Sequence, residues 1–458
     1  MLRERTVQRD YWDLILPENV RRMSPELEAV DNLLDDERFL KPFRIAFPAK
    51  RGRPTIPMEV YLRLMYLKFR YKLGYEALVA EVSNNISWRL FCRIGLSGDV
   101  PEASTLCKLT KGRAKAAVAT LNDALLTKLV EQGTVKGRRV RSDTTVLPAN
   151  IVYPTDIALL ADGLRVTERH LGRLHKLGGT LGTAVEATVK RMARSRERVK
   201  EQLRHLSQQL KQKDRPAGVR QAATQVVMEE AEQLCTEVSA AVGTSDDSTN
   251  KAVRRERQAV QAGVAVLKRL VQQTKQVLGG DPHVKNRVVS VFDQEARPIR
   301  KGKLDKPTEF GRVVRLDQSD DGYITGYQVH VGNPGDASQV IPAIDHHVAV
   351  FGQAPQGFAG DRGMASTNND RQLARLGVQT VSLPRAGPLD DQRTAVEQDP
   401  AFQDLKRWRS GIEGLISLMK RVFGWARCLF KGTVGTEAWV DWSVLAHNLR
   451  RYSRSVGR

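Results

Sequence analysis

Residues 138–148 read Arg138-Arg139-Val140-Arg141-Ser142-Asp143-Thr144-Thr145-Val146-Leu147-Pro148, and this stretch decides the fold class. Its period is two. Val140, Ser142, Thr144 and Val146 fall on one face, and Arg139, Arg141, Asp143 and Thr145 on the other. Pro148 ends the strand. A carboxylate in the middle of such a strand is costly unless it is paired or bound to metal. Asp143 is therefore the first candidate for chemistry.

Strand signals return after Val284. Val288 to Phe292 is a β-rich run. Gly311 to Leu316 and Tyr323 to Val331 flank Asp320-Asp321-Gly322, a hairpin turn. Gly357 to Gly360 leads to Asp361. A capped helix follows from Ser366 to Leu376, then a strand from Val378 to Leu383 that Pro384 ends. That is a β-α-β unit, and an acid at the carboxyl end of its first strand sits where α/β sheets place their chemistry.

The flanks are helical. Before residue 130, Ser24-Pro25-Glu26 starts a helix, Arg51-Gly52-Arg53-Pro54 is a basic turn, and helices follow Pro57, Gly74 and Ser104. In the last of these, Lys108, Lys111 and Lys115 are spaced for one face. Such a face is either a DNA-reading surface of helix-turn-helix type or a solvated one. From about 157 to 280 the period is helical, with turn signals at Pro216-Ala217-Gly218 and between Gly243 and Asn250. This predicts about three long helices, serving as an arm for DNA or a partner subunit, or as a spacer. The tail from Leu405 is helical again and carries Trp408, Trp425, Trp439 and Trp442. Trp425 reads as a core residue before it reads as a stacking platform.

On that tail, Arg409, Glu413 and Lys420 lie on one helix and fall on one stripe of it. Beside it runs an apolar stripe of Ile412, Leu415, Ile416, Met419 and Phe423, which would pack on a sheet. Glu413 would then approach Asp143 and Asp361. Three such carboxylates could hold two divalent ions for phosphodiester cleavage. Hard oxygen ligands suit Mg²⁺ or Mn²⁺, and Arg409 and Lys420 would face phosphates. Spacing alone leaves other readings open: a turn aspartate at Asp143, and a surface pair of Glu413 with Arg409.

Charge narrows the partner. Among 458 residues, 73 Lys and Arg against 52 Asp and Glu give a net charge of +21, a field that favours polyanions and nucleic acid above all. The four cysteines, Cys92, Cys107, Cys235 and Cys428, have neither Cys-x-x-Cys nor zinc spacing and read as thiols of a reducing compartment. Met1 to Asp10 lacks an apolar leader core, and no run has the ~20 apolar residues of a membrane helix. The expectation is a soluble, intracellular protein with no membrane partner.

In order along the chain, these residues resemble bacterial insertion-sequence transposases with an Asp-Asp-Glu core, the branch with a Tyr-Arg-Glu-Lys signature. Arg409, Glu413 and Lys420 match Tyr-x2-Arg-x3-Glu-x6-Lys, and Lys406 stands where the family has Tyr. Asp143-Thr144-Thr145, with Asn150 to Asp156, resembles the first-aspartate block. Glu309-Phe310-Gly311 and Gly332-Asn333-Pro334-x-Asp336 resemble the strands before the second aspartate, and Gly360-Asp361-Arg362-Gly363 the block that carries it. Gly424, Arg427, Lys431-Gly432 and His447-Asn448-Leu449 follow as in the family. Gly52-Arg53-Pro54 through Ser104-Thr105-Leu106 resembles its N-terminal helical domain.

The resemblance implies an α/β, ribonuclease-H-like catalytic core with an N-terminal helical DNA-binding domain and an all-helical insertion. The corresponding boundaries are 1–130 for the helical domain, 131–156 and 283–458 for the core, and 157–282 for the insertion. It implies two Mg²⁺ or Mn²⁺ ions on Asp143, Asp361 and Glu413. DNA contacts would come from Arg409, Lys420 and Arg427, with Lys108, Lys111 and Lys115 added by the basic helix. The implied substrates are double-stranded terminal inverted repeats and target DNA, cut and joined by a homodimer on paired ends. Two alternatives stand beside it: an inactive or domesticated DNA-binding protein of the same fold, and a nuclease that cuts without joining.

Overall fold

The computed structural model describes residues 15, 17–47, 55–112, 114–212, 218–243, 249–300 and 308–456. The basic turn at Arg51 to Pro54, Met1 to Asp10 and most of the two turn signals of the helical segment lie outside them. The chain forms two compact units, one from residues 1–150 with 299–458 and one from residues 151–298.

The first unit begins with helices. α1 (Pro25–Leu34) starts where Ser24 and Pro25 predict: the Ser24 hydroxyl accepts from the Leu27 amide, and proline takes the first helical position. After α2 (Lys41–Ala46) comes α3 (Met58–Arg70), which is buried along nearly its whole length. Burying α3 buries two cations. Arg63 is enclosed by Asp31 and Asp35, at 2.5 and 2.9 Å. Lys68 donates to the Leu73 carbonyl at 2.9 Å and lies over the Tyr75 ring; burial lowers its pKa to about 8. Then follow α4 (Tyr75–Asn84), α5 (Ile86–Phe91), α6 (Ala103–Lys111), α7 (Ala114–Val118) and α8 (Leu121–Glu131). Gly112 separates α6 from α7, so Lys108 and Lys111 share a helix and Lys115 does not. The three-lysine face is corrected accordingly.

The predicted strand at 138–146 is β1 (Arg139–Pro148). With β2 (Arg297–Ile299), β3 (Glu309–Ser319), β4 (Ile324–His330), β5 (Gly357–Ala359) and β6 (Thr380–Ser382) it builds one mixed six-stranded sheet, ordered β2-β3-β1-β5-β6 with β4 also paired to β3. β1 runs antiparallel to β3 and parallel to β5, and β5 runs parallel to β6. The hairpin expected at Asp320-Asp321-Gly322 joins β3 to β4. One face of the sheet packs Val140 and Phe358 against Val340 and Ile344 of α14 (Val340–Phe351) and Leu373 of α15 (Thr367–Arg375).

The C-terminal helices complete this unit: α16 (Asp391–Gln398), α17 (Pro400–Arg409), α18 (Ile412–Val422) and α19 (Gly432–Val456). One continuous core joins Leu62 and Leu67 of α3, Leu125 of α8, Leu316 of β3 and Trp442 of α19. Asn448 pins α19 to the sheet. Its Oδ1 accepts from the Ile324 amide at 3.0 Å, and its Nδ2 donates to the Ile324 carbonyl at 2.8 Å. Trp425 is core, wholly buried, with its indole N–H donating to Ser443.

The second unit is a bundle of α9 (Asp156–Lys176), a short α10 (Gly179–Ala184), α11 (Glu186–Gln209), α12 (Val219–Val242) and α13 (Lys251–Leu278). Four long helices replace the three expected. The extra break is Gly178-Gly179, both at positive φ, which ends a pattern that looked continuous from Leu174 to Val185. The strand expected at Val288 to Phe292 is absent. Val288 packs into the bundle core, and the side chain of Gln273 takes the place of a neighbouring strand: Val288 N–H donates to its Oε1 at 3.0 Å, and its Nε2 donates back to the Val288 carbonyl at 3.2 Å. The nearby strand is β2.

Candidate active site

The register of β1 against β5 locates two candidates. Arg139, Val140 and Arg141 pair with Gly357, Phe358 and Ala359. Asp143 comes two residues after Arg141 on β1, and Asp361 two residues after Ala359, just past the end of β5. Two aspartates 218 positions apart thus each follow one end of the same parallel pairing.

Each carboxylate has a distinct setting. Asp143 is mostly buried; its Oδ1 accepts from the Thr144 amide at 2.7 Å and its Oδ2 from Arg409 Nη2 at 2.8 Å. Asp361 Oδ1 is buried with no hydrogen-bond partner. Both Asp361 and Asp336 crowd Gly363, two residues on: a Cβ there would lie 3.1 Å from Asp336 Oδ2 and 3.3 Å from Asp361 Oδ1. Asp336 reaches back to the first strand, accepting from the Thr144 hydroxyl at 2.9 Å. Sequence reading placed Asp336 in a family block but gave it no role; its Gly-Asn-Pro-x-Asp spacing was the available signal.

Arg409 arrives differently from the expectation. Arg409, Glu413 and Lys420 do not share one continuous helix. α17 ends at Arg409, and the backbone tightens through Ser410 and Gly411, whose amides donate to the carbonyls three residues back, as does that of Glu413. The cause is contact with β1. The Arg141 guanidinium donates to the Trp408 carbonyl at 2.5 Å, and a Cβ at Gly411 would collide with it. The guanidinium groups of Arg139 and Arg141 both approach the Trp408 ring, at 5.1 and 4.8 Å from its centre. Lys406, at the family's Tyr position, is exposed on α17.

The third carboxylate is the exception. Glu413 lies in the first turn of α18, a helix packed on β1, but its side chain is exposed. Among the described residues no group of three or more His, Cys, Asp or Glu is gathered closely enough to hold a metal ion. The structure thus joins Asp143 to Arg409, with Asp361 just past the neighbouring strand and Glu413 four residues beyond Arg409 and turned to solvent. Hard carboxylate donors and the orphaned Asp361 oxygen fit a divalent cation in type.

The remaining predicted contacts are dispersed. Lys420 is half-buried on α18. Arg427 is exposed and donates to Asn150 Oδ1 at 3.3 Å. Lys108 and Lys111 are exposed on α6, while Lys115 pairs with Glu437 at 3.2 Å. Among the described residues no helix is long and apolar enough to cross a membrane, and the four cysteines are free thiols.

Residues 15–112 match a family model described as a transposase domain (DUF772), and residues 368–453 one described as a transposase DDE domain. The second match spans Arg409, Glu413 and Lys420; Asp143 and Asp361 lie outside both. The chain is also similar to an uncharacterized protein, ORF8 in the nfe locus of Rhizobium meliloti, with 31% identity over 124 residues. That similarity covers 26% of this chain and 60% of the relative's length. No solved structure matches. The two transposase domains support an insertion-sequence transposase of the DDE type.

Proposed function

We propose that this protein is a DNA transposase of the Asp-Asp-Glu type, cutting and joining DNA with divalent ions held by Asp143, Asp361 and Glu413. The observation that carries the reading is the parallel pairing of β1 with β5, which Asp143 and Asp361 each follow by two residues. The strand order supports a ribonuclease-H-like core: an antiparallel β4-β3-β1 run continued by parallel β5 and β6. The boundaries are those of a helical DNA-binding region over 1–130, a core over 131–156 and 283–458, and a helical insertion over 157–282.

Two Mg²⁺ or Mn²⁺ ions would supply activation of the attacking oxygen and stabilisation of the leaving one. The chain's own part is positional. Arg409 holds Asp143 in place before DNA arrives and is close enough to turn its guanidinium to a phosphate. Glu413, whose side chain is exposed, would have to swing toward the aspartates to complete the site when metal and DNA bind. Lys420 and Arg427, with Lys108, Lys111 and Lys115, contact DNA phosphates. The substrates are terminal inverted repeats and target DNA, bound by a homodimer.

A second reading is a binding-only protein of the same fold, and exposed Glu413 is the observation in its favour. The experiment separating the two uses purified full-length protein, Mg²⁺ and duplex carrying the inverted repeats that flank its gene. Nicking that leaves a 3′-hydroxyl, then joining of that end to a second duplex, is expected. Asp143→Ala, Asp361→Ala and Glu413→Ala should each abolish cleavage and keep DNA binding. Full cleavage by any one of them overturns its assignment; binding without cleavage in the wild type favours the second reading.

A further inference from the structure

We infer that the helical unit of residues 151–298 carries a contact surface for the phosphate backbone of duplex DNA, centred on Arg169, Arg173 and Lys176 of α9. These residues are exposed and recur at i, i+4 and i+7, so they form one ridge on the outer side of the helix. Arg165 precedes them on the same line, paired to Asp162 at 2.6 Å.

Many of the unit's described acids pair with other cations. On α11, Lys190 pairs with Glu186, Arg191 with Glu230, Arg196 with Glu168 and Lys200 with Glu197. Lys275 pairs with Glu232 and Arg287 with Asp156. Within reach of the α9 ridge, among the described residues, stands Glu256 of α13. It is buried, and its oxygens are taken by His170 at 2.8 Å and Arg255 at 3.1 Å. Arg173 feels Glu256 only at longer range. Among the described residues, Arg169, Arg173 and Lys176 have no ion-pair partner of their own.

Local helix electrostatics explain only part of this pattern. Arg173 and Lys176 lie in the last turn of α9, where cations suit the helix dipole. Arg169 does not. Across the Glu256 seam, α13 opens with Lys251, Arg254 and Arg255 and has no acid in its first turn, the end where cations are unfavourable. An anion outside the protein resolves both. Along α9 the three cations are spaced by about 6 and 4.5 Å, a density comparable with the phosphates of one DNA strand, which recur about every 3.4 Å of duplex. Arginine forks suit phosphate oxygens. A scattered ridge of this kind reads no bases, so the contact is sequence-independent.

This surface rests on the DNA-transacting reading, and its test keeps the two separable. Full-length protein is titrated with random-sequence duplex over a range of salt. In R169A/R173A/K176A, the slope of log affinity against log salt should become shallower by about 0.9 per lost contact, about 2.7 in all. In K190A/K200A/K275A, which removes three exposed but paired lysines, the slope should stay at the wild-type value. R169K/R173K keeps the charge and should keep the slope, which separates contact from any effect on folding. An unmoved slope in the first variant, or an equal change in the paired-lysine control, overturns the surface alone. A wild type that binds no duplex at all overturns the DNA reading itself.

Discussion

Two arginines in the same compact unit meet aspartates in opposite ways. Arg63 is wholly buried and finished: its Nε donates to Asp31, one Nη to Asp35 and the other to the Glu59 carbonyl. Arg409 is partly exposed and unfinished. One Nη donates to Asp143, while its Nε is buried with no partner, as is Asp361 Oδ1 nearby. A buried charge with a complete set of partners holds structure together. Polar atoms left without partners each cost stability until they are satisfied, and beside a candidate site a ligand is one way to satisfy them.

The largest effect should come from breaking the finished pair. Arg63→Met leaves Asp31 and Asp35 with only the partly exposed Arg93 and should cost about 3 kcal/mol, the low end for breaking a buried pair. Denaturant unfolding checks this; a loss under 1 kcal/mol would mean the network is dispensable. Cleavage per folded molecule should not change.

Asp441 sharpens the contrast from within the same core. It has one short hydrogen bond, from Tyr327 at 2.9 Å, and burial raises its pKa from 3.8 to about 7. The folded state therefore holds a proton that the unfolded chain releases at lower pH. The resulting stabilisation is full below pH 4 and disappears as pH rises through 7. Asp441→Asn should erase that dependence and raise stability at pH 8 by on the order of 3 kcal/mol. Melting curves at pH 5 and pH 8 check it. A wild-type decline that persists in the variant would assign the proton elsewhere.

Much of this architecture is legible in the sequence, and the failures share a cause. β1 reads correctly because alternation, β-branched residues and a terminal proline are all local. Asp361 reads correctly as a strand-end acid for the same reason. Val288 to Phe292 misleads because the partner of its backbone is a side chain, Gln273, fifteen positions earlier. The Arg409-Glu413-Lys420 stripe misleads because the joint at Ser410-Gly411 is imposed by Arg141, far away in sequence. Pattern reading sees propensity and period; it does not see which distant side chain will claim a backbone group.

The smallest effect tests the unfinished pair by itself. Arg409→Gln should change folding stability by about 1 kcal/mol or less, as for a partly exposed ion pair. Cleavage should fall roughly 10- to 100-fold, equivalent to about 1.4–2.8 kcal/mol of transition-state stabilisation. Unchanged cleavage would make Arg409 a purely structural partner of Asp143.

The central claim, that Asp143 and Asp361 form a divalent-cation site, is tested most directly by Mn²⁺ titration calorimetry on the full chain without DNA. The account predicts a binding heat and a metal-dependent rise in melting temperature for the wild type. Both should be lost in Asp143→Asn and in Asp361→Asn while the fold is retained. Undiminished Mn²⁺ binding by both variants would contradict it.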